Sequence, residues 1–87
     1  MATVWIPAPL RSVTGGQQTV AVSGSRVDHL IAELDRLFPG IKDRLYLGDG
    51  LRPGIAVVVD GTVAPLGLLQ PVGPTSEVHI LPALSGG

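Results

Sequence analysis

The residues best suited to chemistry in this sequence lie at its end. An apolar strand is predicted up to Leu81, Pro82 cannot donate a ladder hydrogen bond, and the last two residues, Gly86 and Gly87, have no side chain. Extended at about 3.3–3.6 Å per residue, residues 83–87 would carry the terminal carboxylate roughly 17 Å from the strand, far enough to enter another protein's active site. A frayed terminus or a cloning scar would have the same composition, so the rest of the chain must decide.

Other chemically capable residues form no comparable group. The sequence has no cysteine, which excludes disulfides, thiolate metal sites and a cysteine nucleophile. His29 and His79 fall on different predicted elements without metal-ligand spacing, so we predict no metal site. Asp28 and Glu33 flank no identifiable cleft and suit helix capping and surface pairing better than acid–base catalysis.

Composition predicts one compact domain. With 87 residues, 45% hydrophobic and 15% charged, we expect a globular body over residues 1–82 and a flexible tail over residues 83–87. A net charge of -1 without a basic cluster argues against nucleic-acid binding. The apolar runs are too short to span a bilayer and the N-terminus does not resemble a signal peptide, so we expect a cytoplasmic protein.

The start of the chain predicts a β-hairpin followed by a helix. Alternation places Val4 and Ile6 on one face of the first strand and Trp5 on the other. Gly15-Gly16 supplies the positive φ of a tight hairpin turn before the second strand. Ser25 is the expected N-cap of an amphipathic helix, whose apolar face is Val27, Leu30, Ile31, Leu34, Leu37 and Phe38.

The remainder predicts further strands separated by loops. Residues 41–47 favour a short second helical turn, and residues 48–54 carry loop signals. The strands expected after them are residues 55–60, the short return Thr62-Val63, and residues 77–81. One helix covering one face of a sheet of four or five strands defines an α+β architecture.

These features together resemble the ThiS/MoaD family of ubiquitin-like sulfur-carrier proteins, and within it most of all the CysO-type carriers. The resemblance spans the whole chain and is clearest at Ile6-Pro7, Leu10-Arg11, residues 14–17 and residues 80–87. It departs from the family pattern before Glu77 and in a longer loop over residues 44–54. The resemblance implies a ubiquitin-like β-grasp fold, with a mixed sheet of four to five strands and one main helix packed on one face.

The resemblance also implies a protein cosubstrate and not an enzyme. A ubiquitin-activating-like adenylyltransferase/sulfurtransferase would use ATP and magnesium to adenylate Gly87, beside Gly86, and the acyl group would become a thiocarboxylate. This chain would hold no bound cofactor. Sulfur would pass to a sulfur-accepting biosynthetic enzyme for a metabolite of the cysteine or thiosugar type, and nothing requires more than a monomer.

Partner-binding residues are predicted on the sheet face away from the helix. If Val4 and Ile6 point inward, alternation turns outward Trp5, Pro7, His79 and Leu81, with Val63 beside them. Arg11, from the family's Leu-Arg pair, could contact an acidic partner, although ordinary solvation explains it as well. The tail would add Ala83, Leu84 and Ser85. In the alternative, Trp5 and Leu81 simply help to fill the core.

Three other functions remain open on the sequence. The chain could be a ubiquitin-like protein modifier that ends in an isopeptide bond, or the small subunit of a molybdopterin synthase. It could also be a β-grasp binding module whose terminus is incidental.

Overall fold

The structure, a computed structural model, describes residues 1–82. The predicted tail, residues 83–87, lies outside the described residues. The helices are α1 (Val27–Leu37) and α2 (Ile41–Leu45), with short 3-10 helices at Ala8–Leu10 and Gly67–Leu69. The strands are β1 (Ala2–Trp5), β2 (Thr19–Val22), β3 (Tyr46–Leu47), β4 (Gly50–Leu51), β5 (Ala56–Val59), β6 (Thr62–Val63) and β7 (Glu77–Leu81).

Five strands form one mixed sheet in the order β2-β1-β7-β5-β6. The first strand and the last are parallel neighbours at its centre, with Val4 opposite Val78 and Trp5 opposite His79. The other pairs are antiparallel. The predicted mixed sheet is therefore confirmed, and the parallel pairing brings the beginning and the end of the domain together.

The core lies between this sheet and the helices. Val4, Ile6, Val78 and Ile80 are all buried, as strand alternation predicted. The buried stripe of α1 is Val27, Leu30, Ile31 and Leu34, and α2 adds Ile41 and Leu45. Leu37 departs from the predicted stripe: it ends α1 with 45% of its surface exposed.

The beginning of α1 differs from the prediction. Arg26, and not Ser25, is the N-cap residue, and it makes no side-chain capping bond. The main chain of this region is tied instead to the segment after the second 3-10 helix: the Val27 amide donates to the Gln70 carbonyl at 3.0 Å, and the Val72 amide donates to the Ser25 carbonyl at 3.0 Å. This tertiary pairing fixes where the helix starts.

A small hairpin interrupts the predicted loop over residues 48–54. β3 and β4 pair antiparallel around Gly48, which has a φ of 67°. Strands of two residues are too short to show an alternation, so no periodic pattern predicts them. Among the described residues, no helix has the length and apolarity that crossing a membrane requires.

Candidate functional site: a groove beside Pro82

The outer face of the sheet, away from α1, carries an aromatic pair at its centre. Trp5 and His79 lie on neighbouring strands with their rings stacked, 5.1 Å between centroids and 7° between planes. The Trp5 indole N–H also donates to Glu77 Oε1 at 3.1 Å. Trp5 and Leu81 are 37% and 44% exposed and stand outside the core, which argues against the alternative that they fill it.

The connection between β1 and β2 builds one side of the site. It spans residues 6–18, so the turn is wide and not the tight one that was predicted, although Gly15 and Gly16 do have positive φ. Its 3-10 helix buries Leu10, and the Arg11 Nε–H then donates to the Ile6 carbonyl at 3.1 Å.

Two further bonds hold the Arg11 main chain in place. The Gly16 amide donates to the Arg11 carbonyl at 2.7 Å, and the hydroxyl of the buried Thr14 lies 3.3 Å from the same oxygen. The position of Arg11 is thus set by the loop as a whole.

Together these parts form a shallow groove of about 350 Å³. We call it the tail-side groove because Pro82, the last described residue, lies at its edge. Five of the predicted partner-binding residues meet in it. Its lining is Trp5, Ile6, Pro7, Ala8, Pro9, Arg11, His79, Ile80, Leu81 and Pro82.

Of the remaining predicted site residues, Val63 is the one that the structure describes. Val63 is 64% exposed on β6, where it pairs with Val58, which in turn pairs with His79. It therefore shares the outer face but not the groove. Ala83, Leu84, Ser85, Gly86 and Gly87 lie outside the described residues.

Ala8 and Pro9 complete the groove but were not predicted. They enter it because the 3-10 helix turns the chain back beside β7, and a proline at its start was the available signal. Glu77 was also missed as the hydrogen-bond partner of Trp5, because that contact spans 72 positions in the sequence.

Asp60 fixes the start of β7, the strand that contributes His79, Ile80 and Leu81 to the groove. It has a positive φ of 49°, and its carboxylate accepts hydrogen bonds from the Glu77 amide and the Ser76 hydroxyl, both at 2.9 Å. These two bonds stabilise the charged form and hold the pKa of Asp60 below its usual range, and the bond from the Glu77 amide has the larger effect.

A second, larger concavity lies on the helix side. Lys42, over the Tyr46 ring at 5.0 Å, lines it together with the exposed Leu66 and Leu69. Burial, with the nearby negative charge of Asp28, raises the pKa of Tyr46. None of the predicted site residues that fall within residues 1–82 lies there. Within residues 1–82, no group of three or more His, Asp or Glu residues could hold a metal ion.

Comparison with known proteins now defines the class. The ThiS family matches residues 4–87, and the chain belongs to that family. Sulfur carrier protein CysO of Mycobacterium tuberculosis is 36% identical over 92 residues, which cover 98% of this chain and 97% of CysO. The predicted family is confirmed, and its members are small carrier proteins and not catalysts.

Solved structures agree on the ubiquitin-like β-grasp fold. A chain of the Amycolatopsis orientalis BexX/CysO complex superposes with a TM-score of 0.94 at 35% identity, with both chains covered completely. Small archaeal modifier protein 1 of Methanosarcina acetivorans superposes with a TM-score of 0.84 at 26% identity, covering 99% of this chain and 95% of that one.

Proposed function

We propose that this protein carries sulfur as a thiocarboxylate on Gly87. The observation that supports this most strongly is the family match, which runs from residue 4 to residue 87 and so includes both the tail-side groove and the proposed acceptor. The near-complete coverage of CysO, a named sulfur carrier, points the same way.

The chemistry requires activation, because a free carboxylate is a poor electrophile. The Gly87 carboxylate attacks the α-phosphorus of ATP, and pyrophosphate leaves, giving an acyl-adenylate. A sulfur nucleophile then attacks the carbonyl carbon, the new C–S bond forms, and AMP leaves. If the donor is a persulfide, a thiol must afterwards cleave the S–S bond to release the thiocarboxylate.

The chain's own part in this chemistry is presentation. Without Cβ atoms, Gly86 and Gly87 would pass through a narrow channel and leave the carbonyl carbon open to attack. A ubiquitin-activating-like adenylyltransferase would supply ATP, magnesium and the catalytic groups. The body, residues 1–82, would serve as the docking domain and residues 83–87 as the arm.

Recognition is assigned to the outer face of the sheet. We propose that the activating enzyme, and later a sulfur-accepting biosynthetic enzyme, docks on the tail-side groove, with Ala83, Leu84 and Ser85 engaged beyond it. The A. orientalis structure, a complex of CysO with BexX, supports a partnership of this kind. The destination proposed is a metabolite of the cysteine or thiosugar type, with the whole sequence of reactions in the cytoplasm.

Adenylation and intact mass test the proposal. The protein is incubated with the activating enzyme of the same organism, magnesium ATP and labelled pyrophosphate, and then with a sulfur donor. Label should enter ATP, and the mass should rise by the difference between sulfur and oxygen. A variant lacking Gly87 should do neither, whereas Arg44→Gln, an exposed change on α2, serves as the control. Normal exchange by the variant lacking Gly87 would overturn the proposal.

A protein modifier is the second candidate, favoured by the likeness to small archaeal modifier protein 1. In that case Gly87 would form an isopeptide bond with a target lysine, and conjugates of higher mass would be found in cells. Lys42 is the single lysine of this sequence, so polymers linked through a lysine side chain would have to disappear in Lys42→Arg.

A molybdopterin synthase subunit would instead co-purify with a larger catalytic subunit.

A further inference from the structure

Charge is distributed unevenly along the outer face of the sheet. Glu77 lies at the beginning of β7, bonded to the Trp5 indole, whereas Arg11 lies near the other end of that strand, beside Leu81 and Pro82. No carboxylate side chain lines the tail-side groove, and Arg11 is the one permanently charged residue among its described lining. The groove therefore presents a cation on an otherwise largely apolar surface.

Arg11 is held in position before any partner binds. Its Nε–H is bonded to the Ile6 carbonyl at 3.1 Å, its side chain is half-buried, and its own carbonyl accepts the Gly16 amide. It forms no salt bridge with a carboxylate of the described residues, unlike Arg26 and Arg36. The two terminal nitrogens of its guanidinium can thus donate hydrogen bonds to a carboxylate at little further cost in side-chain entropy.

The groove also has an apolar half that a partner must cover. Leu81 is 44% exposed, and Pro7 and Pro9 line the groove beside it. Prolines and a leucine next to an oriented guanidinium suit a segment that carries an apolar side chain and an acidic side chain close together. A basic segment would meet like charge in a partly desolvated site and would be rejected.

We propose that the tail-side groove receives a segment of the activating enzyme that bears an aspartate or glutamate, which pairs with Arg11, and an adjacent apolar residue, which packs on Leu81. The inference rests on the proposed function and specifies its docking chemistry. Because Pro82 lies at the edge of this groove, the contact would hold the point from which the arm departs. Arg11 is then a specificity-determining residue and not a catalytic one.

The test measures carrier KM and kcat separately in the pyrophosphate-exchange assay with the activating enzyme of the same organism. Arg11→Gln removes the charge, Arg11→Lys keeps it without the planar fork, and Arg44→Gln makes the same change in charge on α2. We expect Arg11→Gln to raise KM about tenfold with kcat changed less than about twofold. Arg11→Lys should be intermediate, and Arg44→Gln should match the wild type.

Salt gives a second readout, and its wild-type measurement does not depend on the folding of any variant. Raising NaCl from about 0.1 M to about 1 M shortens the Debye length from about 10 Å to about 3 Å, so the wild-type KM should rise and that of Arg11→Gln should rise less. Melting followed by circular dichroism checks that the Arg11 variants remain folded.

The outcomes separate the two proposals. Exchange by the wild type with equal KM for Arg11→Gln and Arg44→Gln, or a wild-type KM insensitive to salt, overturns the acidic-segment inference alone. Absence of exchange with the wild type overturns the proposed function, and the inference with it.

Discussion

Adjacent residues of β1 and β7 have different roles, because their side chains lie on opposite faces of the sheet. Ile80 belongs to the core and is only 4% exposed, although it borders the tail-side groove, whereas Leu81, the next residue, is 44% exposed in that groove. On β1, Val4 is buried and Trp5 stacks on His79 in solvent contact. A single pair of parallel strands therefore separates residues that stabilise the domain from residues available to a partner, and substitutions on the two faces should be distinguishable.

The largest expected effect is on the inner face. Ile80→Ala should lower the free energy of unfolding by about 2–5 kcal/mol, because it leaves a cavity opposite Val57 under the helix layer. Leu81→Ala should cost about 0.5 kcal/mol or less, as an exposed change does. Urea unfolding of both variants measures the difference. Equal losses would show that the two faces do not divide stability and docking as argued.

On the outer face, Trp5→Glu should damage docking more than folding. It removes the largest ring of the groove together with its bond to Glu77, and central aromatic anchors commonly carry about 2 kcal/mol or more of binding energy. The carrier KM in pyrophosphate exchange should therefore rise about 30-fold. Trp5→Phe, which keeps a ring against His79, is the matched control and should lose much less.

Undiminished exchange with a folded Trp5→Glu protein would exclude the aromatic pair from recognition. Melting temperature separates this outcome from simple unfolding.

The inner face of the sheet could be predicted well from the sequence, because buried side chains recur at regular intervals along strands and helices. Val4, Ile6, Val78 and Ile80 alternate along two strands, and a helix with a three-and-four spacing must cover them. The arrangement of hairpin, helix and later strands then leaves few possible folds. The α+β class followed from this consistency, whereas the resemblance to the family rested on Ile6-Pro7, Leu10-Arg11, residues 14–17 and residues 80–87.

The groove was predictable only in part, since its residues meet through tertiary contacts. Outward alternation identified Trp5, His79 and Leu81, but the bond from Arg11 to Ile6 depends on a loop whose 3-10 helix has no period to detect. The start of α1 shows the same limit: the main-chain bond between Val27 and Gln70 overrode the expected cap at Ser25. Local signals cannot reveal such long-range pairing.

A smaller effect is expected at Asp60, which both faces depend on because it fixes the start of β7. Its pKa is lowered in the folded protein, so it contributes stability above the unfolded pKa of about 3.9, and this contribution is lost as the pH falls through the lowered value. Asp60→Asn keeps the shape and tolerates the positive φ. The urea midpoint of the wild type should therefore exceed that of Asp60→Asn at pH 7, and the difference between the two midpoints should be smaller at pH 3.

Asp49→Asn, in the β3–β4 turn, serves as the control. A gap of constant size at both pH values would mean that the charge of Asp60 contributes nothing.

The smallest effect is expected at Val63, which tests how far the docking surface extends. Val63 lies on β6, two strands from β7 and so about 10 Å from the row of His79 at about 4.8 Å per strand. If docking centres on the tail-side groove, Val63→Ser should raise the carrier KM only about twofold, whereas Leu81→Ser, the same kind of change within the groove, should raise it several times more. Equal increases for the two variants would instead extend the docking surface across β5 to the sheet edge. Because both side chains are exposed, neither substitution should alter the urea midpoint by much, and the comparison then reports recognition alone.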